Sequence, residues 1–134
     1  MSQENVGILL AAFGAVQGGE YDLSFQLLDE QVVWDMSGFE LPDVAKVYRG
    51  HDGIREFWTA WLNAWQSLEF VKVVPEDHGD HVIVEVHQRN RGRGSGVDID
   101  FHYFQTFTFR DGKIIASRMA STRAEALEAV GLAE

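Results

Sequence analysis

Two long alternating runs constrain this chain more than any other feature. His81 to Arg91 and Val97 to Phe109 each alternate apolar and polar side chains, and only Gly92-Arg93-Gly94-Ser95-Gly96 lies between them. Alternation with a period of two marks a strand with one buried face. The glycine-rich connector makes the pair an antiparallel hairpin. Setting Arg91 opposite Gly96 places Arg89 against Asp98, His87 against Asp100 and Glu85 against His102. The alternate residues then pair Val86 with Phe101, Val84 with Tyr103 and Val82 with Gln105. One face is apolar and the other a ladder of complementary charges. A slip of one residue would turn charges onto the apolar face.

Arg110-Asp111-Gly112-Lys113 reads as a tight turn into a last strand, Ile114 to about Ala120. A two-residue loop there puts Phe109 against Ile114, Phe107 against Ala116 and Gln105 against Arg118 on the inward side. Phe104, Thr106, Thr108, Ile115, Ser117 and Met119 fall outward. That outward set is half apolar, which points to a homodimer contact through the outer sheet face, or to cover by the C-terminal helix.

The remaining chain supplies helices and short strands. Val6, Leu9, Leu10, Phe13 and Val16 recur at helical spacing between Glu4 and Gln17, and Gly18-Gly19 ends that helix. A second short helix covers Tyr21 to Leu28. Val32 to Met36 and Val47 to Arg49 read as strands, with a loop from Ser37 to Ala45 between them. A third helix from Gly50 to about Gln66 carries Ile54, Phe57, Trp58, Trp61, Leu62 and Trp65 as a wide apolar stripe. Phe70 to Val74 is a strand stopped by Pro75. Thr122-Arg123-Ala124-Glu125 fits a capping box opening a short helix that ends at Gly131. Helices, strands, a helix and strands again define an α+β class. The 134 residues match the usual size of one domain.

Charge and composition exclude several functions. The net charge of −10 disfavours nucleic acid and anionic membrane surfaces as partners. The Arg-Gly-Arg-Gly-Ser-Gly run therefore reads as a hairpin tip. Without cysteine there are no disulfides, thiolate metal sites or Cys nucleophiles. No histidine pair has a metal-binding helical spacing, and no nucleophile-elbow or phosphate-loop pattern occurs, so no metal and no cofactor are expected. Met-Ser-Gln-Glu-Asn lacks the basic start of a signal peptide, and no apolar run approaches membrane-span length. A cytoplasmic location is the expectation.

Gln105 and Arg118 break the apolar inward face. A buried Arg must be paired, and Asp35 in Val32-Val33-Trp34-Asp35-Met36 is the partner to test. If Asp35 rather than Trp34 points inward, Asp35, Gln105 and Arg118 converge as a candidate catalytic set. The strand is too short for alternation to decide between those two residues. Aromatics are 12% of the chain. Phe13, Trp34, Tyr48, Phe57, Trp58, Trp61, Val84, Val86, Phe101, Tyr103 and Phe107 are the expected walls of a pocket for a small apolar molecule.

Three segments carry a resemblance: Gly18-Gly19 with Tyr21-Asp22, Tyr48-Arg49-Gly50-His51-Asp52-Gly53-Ile54-Arg55-Glu56-Phe57-Trp58, and Phe107-Thr108-Phe109-Arg110-Asp111-Gly112-Lys113-Ile114. Together they resemble the SnoaL-like branch of the nuclear transport factor 2 and ketosteroid isomerase superfamily, from about Asn5 to Ala120. The resemblance implies one domain over 1–134: a cone-shaped, strongly bent antiparallel sheet wrapped by N-terminal helices (a cystatin-like roll), often dimeric through the sheet. It places Asp35 where ketosteroid isomerase keeps its general base. Phe13 and Gln105 stand where that enzyme has its oxyanion-hole Tyr and Asp. Arg118-Met119 stands where limonene epoxide hydrolase has an Arg-Asp pair, so the acid is lost. Fold alone does not fix function here. Acid–base catalysis by Asp35 of an isomerase, cyclase or hydrolase type, non-catalytic small-molecule binding, and a dimeric scaffold with a filled cone all remain open.

Overall fold

A computed structural model describes residues 2–38 and 46–132. The chain runs α1 (Ser2–Gln17), α2 (Tyr21–Gln26), β1 (Leu28–Asp35), β2 (Val47–Arg49), α3 (Gly50–Ala64), β3 (Trp65–His78), β4 (His81–Gly92), β5 (Asp98–Arg110), β6 (Lys113–Ala120) and α4 (Arg123–Ala129). Most of the loop expected from Ser37 to Ala45 lies outside the described residues. The six strands form one sheet in the order β2-β1-β6-β5-β4-β3, which curls without closing. β1 runs parallel to β6, and every other neighbouring pair is antiparallel.

Several boundaries differ from the sequence reading, and α2 ends at Gln26 rather than Leu28. β1 begins at Leu28, four residues early. Trp65 leaves the helical face and opens β3, which continues through Pro75 to His78. Pro75 is tolerated because β3 is an edge strand, where a missing N–H need not weaken the ladder. Gln17 of α1 lies against that edge. Its Nε2 donates to the Leu68 carbonyl at 2.9 Å, and its Oε1 accepts from the Phe70 N–H at 2.6 Å.

The β4–β5 hairpin is displaced by two residues from the expected register, with Arg91 opposite Asp98. The cause is a wider tip, in which the Gly92 N–H donates to the Val97 carbonyl and Gly94 and Gly96 both have positive φ. An even displacement keeps the same residues inward. The outer ladder then pairs Arg91 with Asp98 and Arg89 with Asp100, both at 3.0 Å. His87 donates through Nε2 to Asp100 at 2.7 Å and stacks on His102. Arg93 turns back from the tip to α3. Its guanidinium donates to the carbonyls of Leu62, Asn63 and Trp65 around the C-terminus of α3, where helix carbonyls run short of backbone partners.

The β5–β6 turn has Asp111 at φ 52° and Gly112 at φ 77°, as a primed hairpin turn requires. Phe109 faces Ile114 as expected, but an irregularity follows and Thr108 faces Ala116. The extra residue, Ile115, reverses the remainder of β6. Ser117 and Met119 therefore turn inward and are buried, while Arg118 turns outward and is exposed, opposite Thr106.

The core fills the concave side of the sheet with Leu9, Val32, Ile54, Val82, Val84, Val86 and the aromatic residues of α3. A second cluster on the convex side packs Ala126 and Leu127 of α4 on Ile83, Phe104 and Ala120. Thr122 caps α4 by accepting from the Glu125 N–H at 3.1 Å, and Glu125 accepts from the Ser121 N–H. This covers part of the face expected to meet a second copy. No helix among the described residues is long and apolar enough to cross a membrane.

Candidate functional site

A cavity of about 70 Å³ remains between α1, α3 and the concave face of the sheet. α1 lends Leu9, Ala12 and Phe13, and α3 lends Phe57, Trp58 and Trp61, because helical spacing puts each set on one side. Phe13 stands edge-on to Phe70 at 4.8 Å and to Phe107 at 6.0 Å. Trp34 packs against Phe107 at 6.0 Å and Phe57 at 6.4 Å, and Phe57 stacks on Trp61 at 6.0 Å. Such ring pairs favour tilted and edge contacts, which fixes the walls.

The polar side chains in the lining are all neutral: Ser24, Gln88, Tyr103, Gln105 and the indoles of Trp34, Trp58 and Trp61. Tyr103 Oη donates to Gln88 Oε1 at 2.7 Å, and Gln88 Nε2 donates to Asn90 Oδ1 at 3.0 Å. Burial pushes the Tyr103 hydroxyl further up, so it stays protonated at any ordinary pH. Gln105 Nε2 donates to Ser117 Oγ at 2.8 Å. Trp34 Nε1 is buried and donates to nothing. Among the described lining residues there is no acid, no His and no Lys or Arg.

The three candidate catalytic residues do not converge. Trp34 is the inward residue of β1, at 8% exposure, so Asp35 lies on the opposite face. Asp35 stands in register with Arg118 on the neighbouring strand and accepts from the Ser37 N–H at 2.9 Å and from the Ser37 hydroxyl. Burial raises its carboxyl, but the two Ser37 hydrogen bonds and the Arg118 charge outweigh that and hold it below its ordinary value. Gln105 alone of the three faces the cavity. The physical reason is the extra residue in β6, which parts Arg118 from Gln105 and sets Met119 opposite Gln105 instead.

Phe13, Trp34, Phe57, Trp58, Trp61, Tyr103 and Phe107 line the cavity. Tyr48, Val84, Val86 and Phe101 do not; they pack in the same core, behind the lining. Tyr48 reaches Phe57 at 5.2 Å and Phe101 reaches Trp61 at 5.8 Å. Sequence reasoning missed Gln88, although the alternation through Val82, Val84 and Val86 points straight to it. Met119 was missed for the same reason that misplaced Arg118. No group of three or more His, Asp or Glu side chains among the described residues could hold a metal ion.

The family model for a SnoaL-like domain matches residues 9–117, and the chain belongs to that family. Solved structures similar to it include an NTF2-like protein from Burkholderia xenovorans LB400, 20% identical, covering 96% of this chain and 97% of that one, with a TM-score of 0.76. TerC, co-crystallised with polyporic acid, is 19% identical over 93% of this chain and 96% of its own, with a TM-score of 0.74. A Xanthomonas campestris protein with a cystatin-like fold is 17% identical over 88% and 90%, with a TM-score of 0.75. At these identities the likeness establishes the fold. A comparison with curated proteins found no match.

Proposed function

We propose that this protein binds a small, largely apolar molecule in the cavity between α1, α3 and the sheet, without performing acid–base chemistry on it. One observation carries the reading: the lining is neutral throughout, while Asp35 and Arg118 lie on the far side of the sheet. General acid–base catalysis needs a titratable group within hydrogen-bond reach of the reacting atom, and a carboxyl held below its ordinary range beside Ser37 suits a structural contact better. The relative co-crystallised with polyporic acid lends the reading support by analogy only. A cavity of this size is about half the ~150 Å³ that admits a benzene ring, so a larger occupant requires the lining to rearrange.

The test is a thermal-shift series with toluene, cyclopentanone and small cyclic alcohols. A ligand that binds only the folded state stabilises it by about 2.7 kcal/mol at a hundred times its Kd. At least one compound is expected to raise the Tm of the wild type and not of Ala12→Phe, whose ring fills the cavity. Equal shifts in both proteins would sink the reading. In the same proposal, the outer sheet face left bare by α4 meets a second copy of the chain.

A further inference from the structure

We infer that Trp34 Nε1 is the polar anchor of this cavity, and that the cavity selects a neutral ligand bearing a hydrogen-bond-accepting oxygen, a carbonyl or a hydroxyl. The inference rests on the binding reading above and specifies its ligand. An indole N–H is a donor only, and buried polar groups almost always find a partner. Trp34 lines the cavity, is 92% buried by its 8% exposure, and its nitrogen has none. Leaving such a donor unsatisfied is costly, and an accepting oxygen in the cavity would remove that cost.

The surroundings decide the charge of that oxygen. Trp34 of β1 pairs in register with Ser117 of β6, and Ser117 with Phe107 of β5. Gln105 donates one amide N–H to Ser117 Oγ at 2.8 Å, and all the polar side chains of the lining are uncharged. With no cation among the described lining residues, a carboxylate would lose its water without a compensating charge. A neutral carbonyl or hydroxyl escapes that penalty.

Acetone, acetate and isobutene share one planar four-atom skeleton and differ in charge and accepting power. Each is titrated into the 15N-labelled full chain while the four Trp indole N–H signals are followed by NMR. Through-bond assignment on the wild type identifies Trp34, so no variant is required to read it. Acetone is expected to move the Trp34 indole signal downfield and saturate, isobutene to bind while leaving that proton nearly in place, and acetate to do neither. Trp34→Phe is expected to weaken acetone about 2- to 10-fold more than it weakens isobutene, the worth of one neutral hydrogen bond. Saturable binding of acetone and isobutene with an unmoved Trp34 signal overturns the anchor while binding stands. Acetate binding as well as acetone overturns the neutral class. Silence from all three, in a protein that also gives no thermal shift, overturns the binding reading itself.

Discussion

Asp35 and Trp34 are chain neighbours with opposite fates, because successive side chains on a strand point to opposite faces. The carboxylate pairs with Ser37 and Arg118 on the outside, and the indole meets Phe57 and Phe107 within. Asp35→Asn is therefore expected to leave cavity binding within about twofold of wild type, since the amide oxygen still accepts from Ser37. Asp35→Ala loses those hydrogen bonds and is expected to cost about 1 kcal/mol in urea denaturation. Because the folded carboxyl sits below its unfolded value, that contribution is present above the ordinary Asp range and fades as pH falls through the folded value. A large loss of ligand binding in Asp35→Asn would contradict its placement outside.

Between elements, the fastening of α4 to the end of β3 depends on Glu76. Arg123, the first residue of α4, donates through Nε and Nη2 to the two Glu76 oxygens at 2.8 and 2.9 Å, and His78 bonds the same carboxylate. The Arg123 and His78 hydrogen bonds pull the Glu76 carboxyl from 4.5 down to about 2. A depressed folded value stabilises above the unfolded pKa and is lost as pH falls through the folded one, so the window runs from about 4.5 down to about 2. Glu76 and Arg123 remain more than a third exposed, which screens the pair to about 1 kcal/mol. Glu76→Gln is expected to lower urea-denaturation stability by that amount at pH 7 and by almost nothing near pH 2. A gap that is constant with pH would assign the loss to packing instead. The same scale explains what the sequence made legible. Alternation gave the inward faces of β4 and β5 even though their register was two residues off, because an even displacement preserves sides. The single extra residue at Ile115 is an odd displacement, so Ser117, Arg118 and Met119 all changed sides. Nothing in Ile114-Ile115-Ala116 advertises it, since either isoleucine can face the core.

For the whole molecule, the capping box at Thr122 foretold α4, and cover of the outer face by that helix, the alternative to a second copy, is what Leu127 supplies where it lies on Ile83 and Phe104. That contact takes up part of the outer face, and the half-buried Thr108, Ile115 and Ala116 remain for a second copy. Each copy carries a net charge of −10, so approach is opposed by repulsion that salt screens. Light scattering is expected to give twice the monomer mass, with the dimer fraction rising with ionic strength. A monomer at every salt concentration and at high protein concentration would remove the dimer from the proposal.

The strand order also governs how the chain can be made. Among the described residues β1 has its only long partner in β6, and Trp34 meets Ser117 across that parallel pair. Synthesis proceeds from the N-terminus at about 5–20 residues per second, so roughly 4–17 s separate the emergence of those two residues. Until the end of that interval the rings of Phe13, Trp34, Phe57, Trp58 and Trp61 exist without β6, the strand that joins β1 to the rest of the sheet. All four tryptophans are thus made before the strand that completes the sheet over them.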